Sequence, residues 1–263
     1  MAVIPLLSPE TPTLKRLTLK SIRLDSTSPS EQIRFHGEAA LYMLVGKARV
    51  YWKGLFLGTM GGRSSVSEPL CHVIRFPKWP ENSIAVMLDG FSAEALWITC
   101  ASDGSDDSTW PLLPYFHYND TTFHQVGTGT HQRRVAEVQT PIGFEIALGE
   151  TLNIPGGTSS WPAHASDDDM QKFCDGKTSW EECMYFVCPK PGVCHFNGYF
   201  NGSNWRHNRR IAIDNDTAHV MPLGSHAITA APDSTCWYFW SYVGDALTKT
   251  YNRWASNVGT YQK

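Results

Sequence analysis

The sequence predicts an all-β chain built as two successive barrels, and three observations lead to that reading. Short runs rich in Val, Ile, Phe, Tyr and Trp recur between clusters of Gly, Pro, Asn and Asp, as β-strands punctuated by turns do. No long segment sustains a helical repeat. The runs also fall into two sets of similar number, on either side of the polar stretch Ser102–Ser108, as a duplicated barrel or sandwich requires.

In chain order, the first set is Ala40–Val45, Ala48–Trp52, Cys71–Phe76, Ser83–Leu88 and Ala95–Cys100. Gly46-Lys47 and Lys53-Gly54 are expected as turns, since glycine supplies the positive φ that tight turns demand. The second set is Gly143–Leu148, Glu182–Val187, Val193–Tyr199, Ala218–Met221, Ala227–Ala230 and Cys236–Val243. The one helical candidate is the tail after Gly244. These runs divide the chain into an N-terminal arm (1–20), a first barrel (21–125), a second barrel (126–246) and a tail (247–263). The first barrel carries no inward His–Glu–His pattern and reads as purely structural.

Apolar residues make up 42% and charged residues 18%, so the chain can bury a core over most of its 263 residues. Net charge is −3 and no stretch collects Lys and Arg, which argues against nucleic acid or an anionic membrane as partner. No segment is apolar enough to span a bilayer, and Met1–Leu7 lacks the basic region of a secretory signal. The expectation is a cytoplasmic protein whose seven cysteines are reduced thiols. The sequons at Asn119, Asn201 and Asn215 then carry no meaning.

Chemistry concentrates between Gly149 and Gly244. A His at 164, a Glu at 182 on a following strand and a His at 226 before a later one form a spacing that makes sense inside a barrel. Strand alternation puts Glu182 in phase with Met184 and Phe186, so its carboxylate points inward among apolar neighbours. Such a carboxylate needs a compensating partner. Two imidazoles and one carboxylate with open positions suit one divalent transition metal, Zn, Mn, Fe or Ni.

These residues sit in motifs that resemble the cupin-type uronate isomerases, the 5-deoxyglucuronate isomerase and 4-deoxy-threo-hexosulose-uronate ketol-isomerase group. The resemblance rests on IPGGTSSWPAH (Ile154–His164), EECMYF (Glu181–Phe186) and PLGSHAITAAPD (Pro222–Asp233). It extends more diffusely to GGRSSV (Gly61–Val66) and THQRRV (Thr130–Val135), covering about Glu38 to Gly244. It implies a bicupin, two fused cupin-like β-barrels of the jelly-roll type. It also implies a metal-dependent aldose–ketose isomerase acting on a deoxy-uronic acid, with a place in carbohydrate metabolism and inositol catabolism.

Carried over by position, the family's metal ligands fall on His164, Glu182 and His226. Its remaining ligand, the second His of an H-x-H pair, is replaced here by Ser166. A serine hydroxyl is a poor ligand for a transition metal, and Asp167, followed by Asp168 and Asp169, is the candidate replacement, ahead of Cys174 and His195. The loss motivates two alternatives: a non-catalytic cupin that binds a ligand or builds an assembly, and a cupin dioxygenase with open iron positions.

For the substrate, a sugar acid, Arg133 and Arg134 are candidates to grip the carboxylate bidentately. Trp161, Tyr185 and Trp240, with Trp237 nearby, offer aromatic faces to a sugar ring. Aromatic surface and low net charge also suit subunit contacts, so a homo-oligomer is among the expectations. His36, His72, His117, His124, His131, His207 and His219 read as surface or loop residues. Cys183, Cys188 and Cys194 read as small buried hydrophobes, because no C-x-x-C pair chelates zinc.

Overall fold

A computed structural model describes residues 3–7, 14, 16–101, 114–117, 123–141, 144–165, 180–200, 204–221 and 225–244. The expected linker at 102–108, the polar loop at 167–179 and the tail after Gly244 lie outside the described residues. The described chain is all-β apart from one 3-10 turn at Gly129–His131. It falls into two units, one drawn from within 1–122 and 137–147, the other from within 123–136 and 148–263. Among the described residues no helix is long and apolar enough to cross a membrane.

The first unit comprises β1 (Val3–Leu7), β2 (Leu17–Leu24), β3 (Ser30–Trp52), β4 (Leu55–Gly61), β5 (Val73–Cys100) and β6 (Tyr115–His117). The strands lie in the order β1-β2-β5-β3-β4, with β6 also on β5. Two long strands replace the shorter runs read from the sequence. Ala39 in the middle of β3 pairs with Phe76 on one side and Thr99 on the other, so β5 flanks β3 twice and curls the sheet around it. The core inside this curl includes Phe35, Phe76 and Trp97, with ring centroids 5.0 to 5.8 Å apart.

The expected turn at Gly46-Lys47 is instead a bulge within β3. Gly46 has φ 74°, and the register slips between Gly46 and Ala48. A side chain at Gly46 would strike the Ser92 carbonyl, so glycine is what lets β3 pass close to β5. Lys53-Gly54 is a turn as expected, with φ 48° and 81°, the two positive values of a type I′ hairpin. Within the arm, Val3–Leu7 pairs antiparallel with β2.

The second unit begins with β7 (Phe123–Val126) and β8 (Arg133–Val138), then β9 (Ala147–Asn153), β10 (Thr158–Ala165), β11 (Trp180–Val187) and β12 (Gly192–Phe200). It continues through β13 (Asn204–Ile213), β14 (Thr217–Met221), β15 (Ser225–Thr229) and β16 (Cys236–Gly244). One sheet runs β14-β11-β16-β9-β8-β7 and the other β10-β15-β12-β13. Their inner faces share a core: Met184, Phe186, Cys188, Met221, Cys236 and Tyr238 from the first sheet, Cys194, Ile213 and Ile228 from the second. This two-sheet sandwich positions the candidate site.

Candidate functional site

β11 alternates as its sequence predicts. Met184 and Phe186 belong to the inner core, so Glu182 shares their face. Glu182 lies directly across from Met221 of β14 on one side and Tyr242 of β16 on the other. Residues directly opposite in an antiparallel pair share a face. The carboxylate therefore sits between an apolar and an aromatic neighbour, with only 5% of the residue exposed.

His226 lies in the other sheet, on β15, and is 1% exposed. Its backbone partners are His164 of β10 and Phe196 of β12. The register jumps between Ser159 and His164, and that irregularity brings 164 into step with 226. The side chains of Trp161 and His164, and all of Ser166 and Asp167, lie outside the described residues. Glu182 is electrically close to both sheets. Burial first, then the Glu182 charge, pushes the thiols of Cys183 on its own strand and Cys194 on β12 up from their ordinary value.

A buried carboxylate and a buried imidazole, with a second histidine in register, fit a divalent transition metal by donor chemistry. Among the described residues no three His, Cys, Asp or Glu side chains converge on one point; of the four expected donors, only the side chains of Glu182 and His226 are described.

Further down the barrel lies a polar network that the sequence reading missed. The Tyr238 hydroxyl donates to Ser159 Oγ at 2.8 Å, and Asn153 Nδ2 donates to Ser159 Oγ (2.9 Å) and to the Ile228 carbonyl (3.2 Å). Burial pushes Tyr238 up to about 12, partly offset by its Ser159 and Thr151 hydrogen bonds and by the Arg133 charge. It stays a neutral donor at physiological pH. The available signal was Asn153 and Ser159, polar residues placed at both ends of the Ile154–Gly157 turn.

The two candidate arginines separate. As neighbours on β8 they project to opposite faces, so they cannot together grip one carboxylate. Arg134 lies over the Phe123 ring at 5.2 Å, whereas Arg133 donates to the His131 carbonyl at 3.0 Å and its charge reaches Tyr238.

The aromatics separate too. Trp240 is directly opposite Met184, on the inner face, and stacks on Tyr242 with centroids 5.8 Å apart. Tyr185 is out of phase with Glu182, and its hydroxyl donates to Asp216 at 2.8 Å. Trp237, one residue from Tyr238, likewise faces away. His195 is out of phase with the inward Cys194.

Two of the histidines read as surface or loop residues, His72 in the loop before β5 and His219 on β14, are half-buried. His72 accepts the Gly61 N–H at 2.8 Å, and His219 faces Met184 across β14 and β11. Burial holds both below the usual imidazole range.

A family described as KduI/IolB matches residues 4–258. No curated protein sequence matches the chain. Among solved structures, an IolB-like protein from Salmonella typhimurium LT2 superposes with a TM-score of 0.73 at 20% identity, covering 90% of this chain and 87% of that one. The oxalate decarboxylase of Lactobacillus farciminis, in a formate complex, superposes at 0.59 with 14% identity, covering 99% and 91%. A putative glyoxylate-induced protein from Pseudomonas aeruginosa gives 0.55 at 10% identity, covering 95% and 82%. At these identities the structures speak for the fold, an all-β bicupin.

Proposed function

The chain belongs to the KduI/IolB family, and from that premise we propose that it is a metal-dependent aldose–ketose isomerase acting on a deoxy-uronic acid or a close relative. The observation that carries the proposal is the buried pair Glu182 and His226, one from each sheet of an otherwise largely apolar barrel.

His164, Glu182 and His226 would hold the metal, with Asp167 as the candidate fourth donor. Bound there, a divalent ion supplies Lewis acidity to a substrate carbonyl and its neighbouring hydroxyl. The chain does the rest. Arg133, whose charge reaches the buried Tyr238, is the candidate cation for the substrate carboxylate. Trp240 and Tyr242 form a stacked wall beside Glu182 for a sugar ring. Met184 and Met221 keep bulk water from that wall, so the proton that moves between adjacent carbons is handled inside the site.

The test is isomerisation of 5-deoxyglucuronate and of a 4-deoxy-5-keto-uronate by metal-replete protein, followed by product NMR. Turnover that falls at least about 100-fold in Glu182→Gln, with the fold intact by circular dichroism, is the expected result. Metal at one per chain without isomerisation of either uronate would overturn the proposal. Ser166 favours one second reading, a non-catalytic cupin, and equal trace metal in wild type and His226→Ala would support it.

A further inference from the structure

We infer that Cys188 and Cys236 are a covalent modification site: they join as a cross-strand disulfide when the protein meets a low-molecular-weight disulfide oxidant. The inference stands apart from the metal and the isomerase reading.

The two thiols are 48 residues apart in sequence but their sulfurs are 3.0 Å apart in the fold. The β11–β16 ladder runs from Trp180↔Gly244 to Val187↔Trp237, and Cys188 with Cys236 is the next pair in the same register. Directly opposed residues of an antiparallel pair have Cα atoms about 4.5 or 5.5 Å apart. Both spacings lie within the roughly 4.4–6.8 Å that a disulfide spans, so closing the bond to about 2.05 Å needs side-chain rotation rather than backbone movement.

Both residues are almost fully buried, and both belong to the inner core. The Cys188 hydrogen bond, then burial, pushes the Cys236 thiol up, which slows thiolate attack in the closed fold. The route in is the end of the barrel. Cys188 is followed directly by the exposed Pro189–Pro191 turn, and Cys236 is preceded by the turn at Pro232–Ser234. Lys190 and Asp233 join these two turns by an ion pair that is more than half exposed. Surface pairs of this kind are weak, so this one adds little to hold the two turns together.

The chemistry balances without a further reactant. One thiolate attacks the small disulfide and releases one small thiol. The second then attacks the resulting mixed disulfide at the protein sulfur and releases the other. The protein dithiol loses two electrons and two protons, and the oxidant leaves as two thiols.

Cys194 is the internal competitor, since it belongs to the same core cluster as both. The register nevertheless favours Cys188, which lies on the strand hydrogen-bonded to that of Cys236.

The experiment uses the full chain, both native and refolded from denaturant, in oxidised glutathione. It is then quenched in acid, alkylated under denaturing conditions and mapped by mass spectrometry. The expected result is loss of two of the seven alkylatable thiols, a mass lower by two hydrogens and one cross-linked peptide pair carrying residues 188 and 236. The unfolding midpoint should rise by about 5 °C or more over the reduced protein, because the bond closes a long loop. Cys188→Ser should give no cross-linked pair at residue 236, leaving Cys236 as a thiol or as its mixed disulfide with glutathione. A bridge from Cys194 to Cys236, or seven alkylatable thiols after oxidative refolding, would overturn the assignment.

Discussion

His226 of β15 is the antiparallel partner of His164 of β10, and the register jump just before His164 is what sets them opposite each other. Glu182 reaches the same interior from the other sheet, buried between Met221 and Tyr242. A donor set assembled from two sheets has a measurable consequence. In His226→Ala, metal affinity should fall on the order of 100-fold or more, beyond the usual loss from disturbing a ligand's own support. Elemental analysis and titration calorimetry with Zn, Mn, Fe and Ni check it. Unchanged affinity would remove His226 from the site.

The opposite faces taken by Arg133 and Arg134 give a paired prediction. Removing Arg133, whose charge reaches Tyr238, as Arg133→Ala should raise KM for a uronate by about 10- to 100-fold, the worth of a charge-assisted hydrogen bond. Arg134→Ala, which removes the guanidinium from over the Phe123 ring, should leave KM within about twofold. Equal effects in the two variants would contradict the division.

A third prediction concerns the first unit. Glu38 and Arg75 are both buried, with the Oε1–Nη1 distance 3.9 Å. Glu38 accepts the backbone N–H groups of Glu145 (2.5 Å) and Ile146 (3.0 Å). Burial raises Glu38 to about 7, against the opposing pull of Arg75 and of those two bonds. Between the ordinary glutamate value and about 7, the folded chain keeps a proton that the unfolded chain has released. Stability from this group is therefore fully present at low pH and falls as pH rises through that window, by about 3 kcal/mol in all. Glu38→Gln should flatten that slope in urea unfolding compared between pH 5 and pH 7.5. An unchanged slope would assign the pH dependence elsewhere.

Gly149 marks a point of close packing beside the candidate site. A side chain there would run into the Trp240 ring and the Ala136 carbonyl. Gly149→Ala should cost about 2 kcal/mol in denaturant unfolding, as overpacking does, and should shift Trp240 fluorescence. Full stability with an unaltered spectrum would show that the strands separate freely at this point.

Much of the fold was legible because its signal is local. Strand alternation depends on neighbouring residues alone, so the run Glu182–Val187 disclosed both the strand and the inward face of Glu182. Lys53-Gly54 announced its turn for the same reason. Gly46 misled because a glycine with positive φ serves a bulge as well as a turn. The choice was made by Ser92 on a strand nearly fifty residues away.

The site shows the same boundary between local and long-range information. By itself the sequence determined an all-β chain, the inward phase of Glu182 and the motifs that resemble the uronate isomerases, since each is written in a contiguous stretch. Only the tertiary structure decided which residues meet. It put His226 opposite His164, Tyr242 beside Glu182, Ser159 under Tyr238 and Cys188 against Cys236, and it turned Tyr185 and Arg134 away. The physical reason is register. Sheet pairing joins residues dozens of positions apart, and a slip of one residue reverses every side chain, so local pattern alone leaves the partners open.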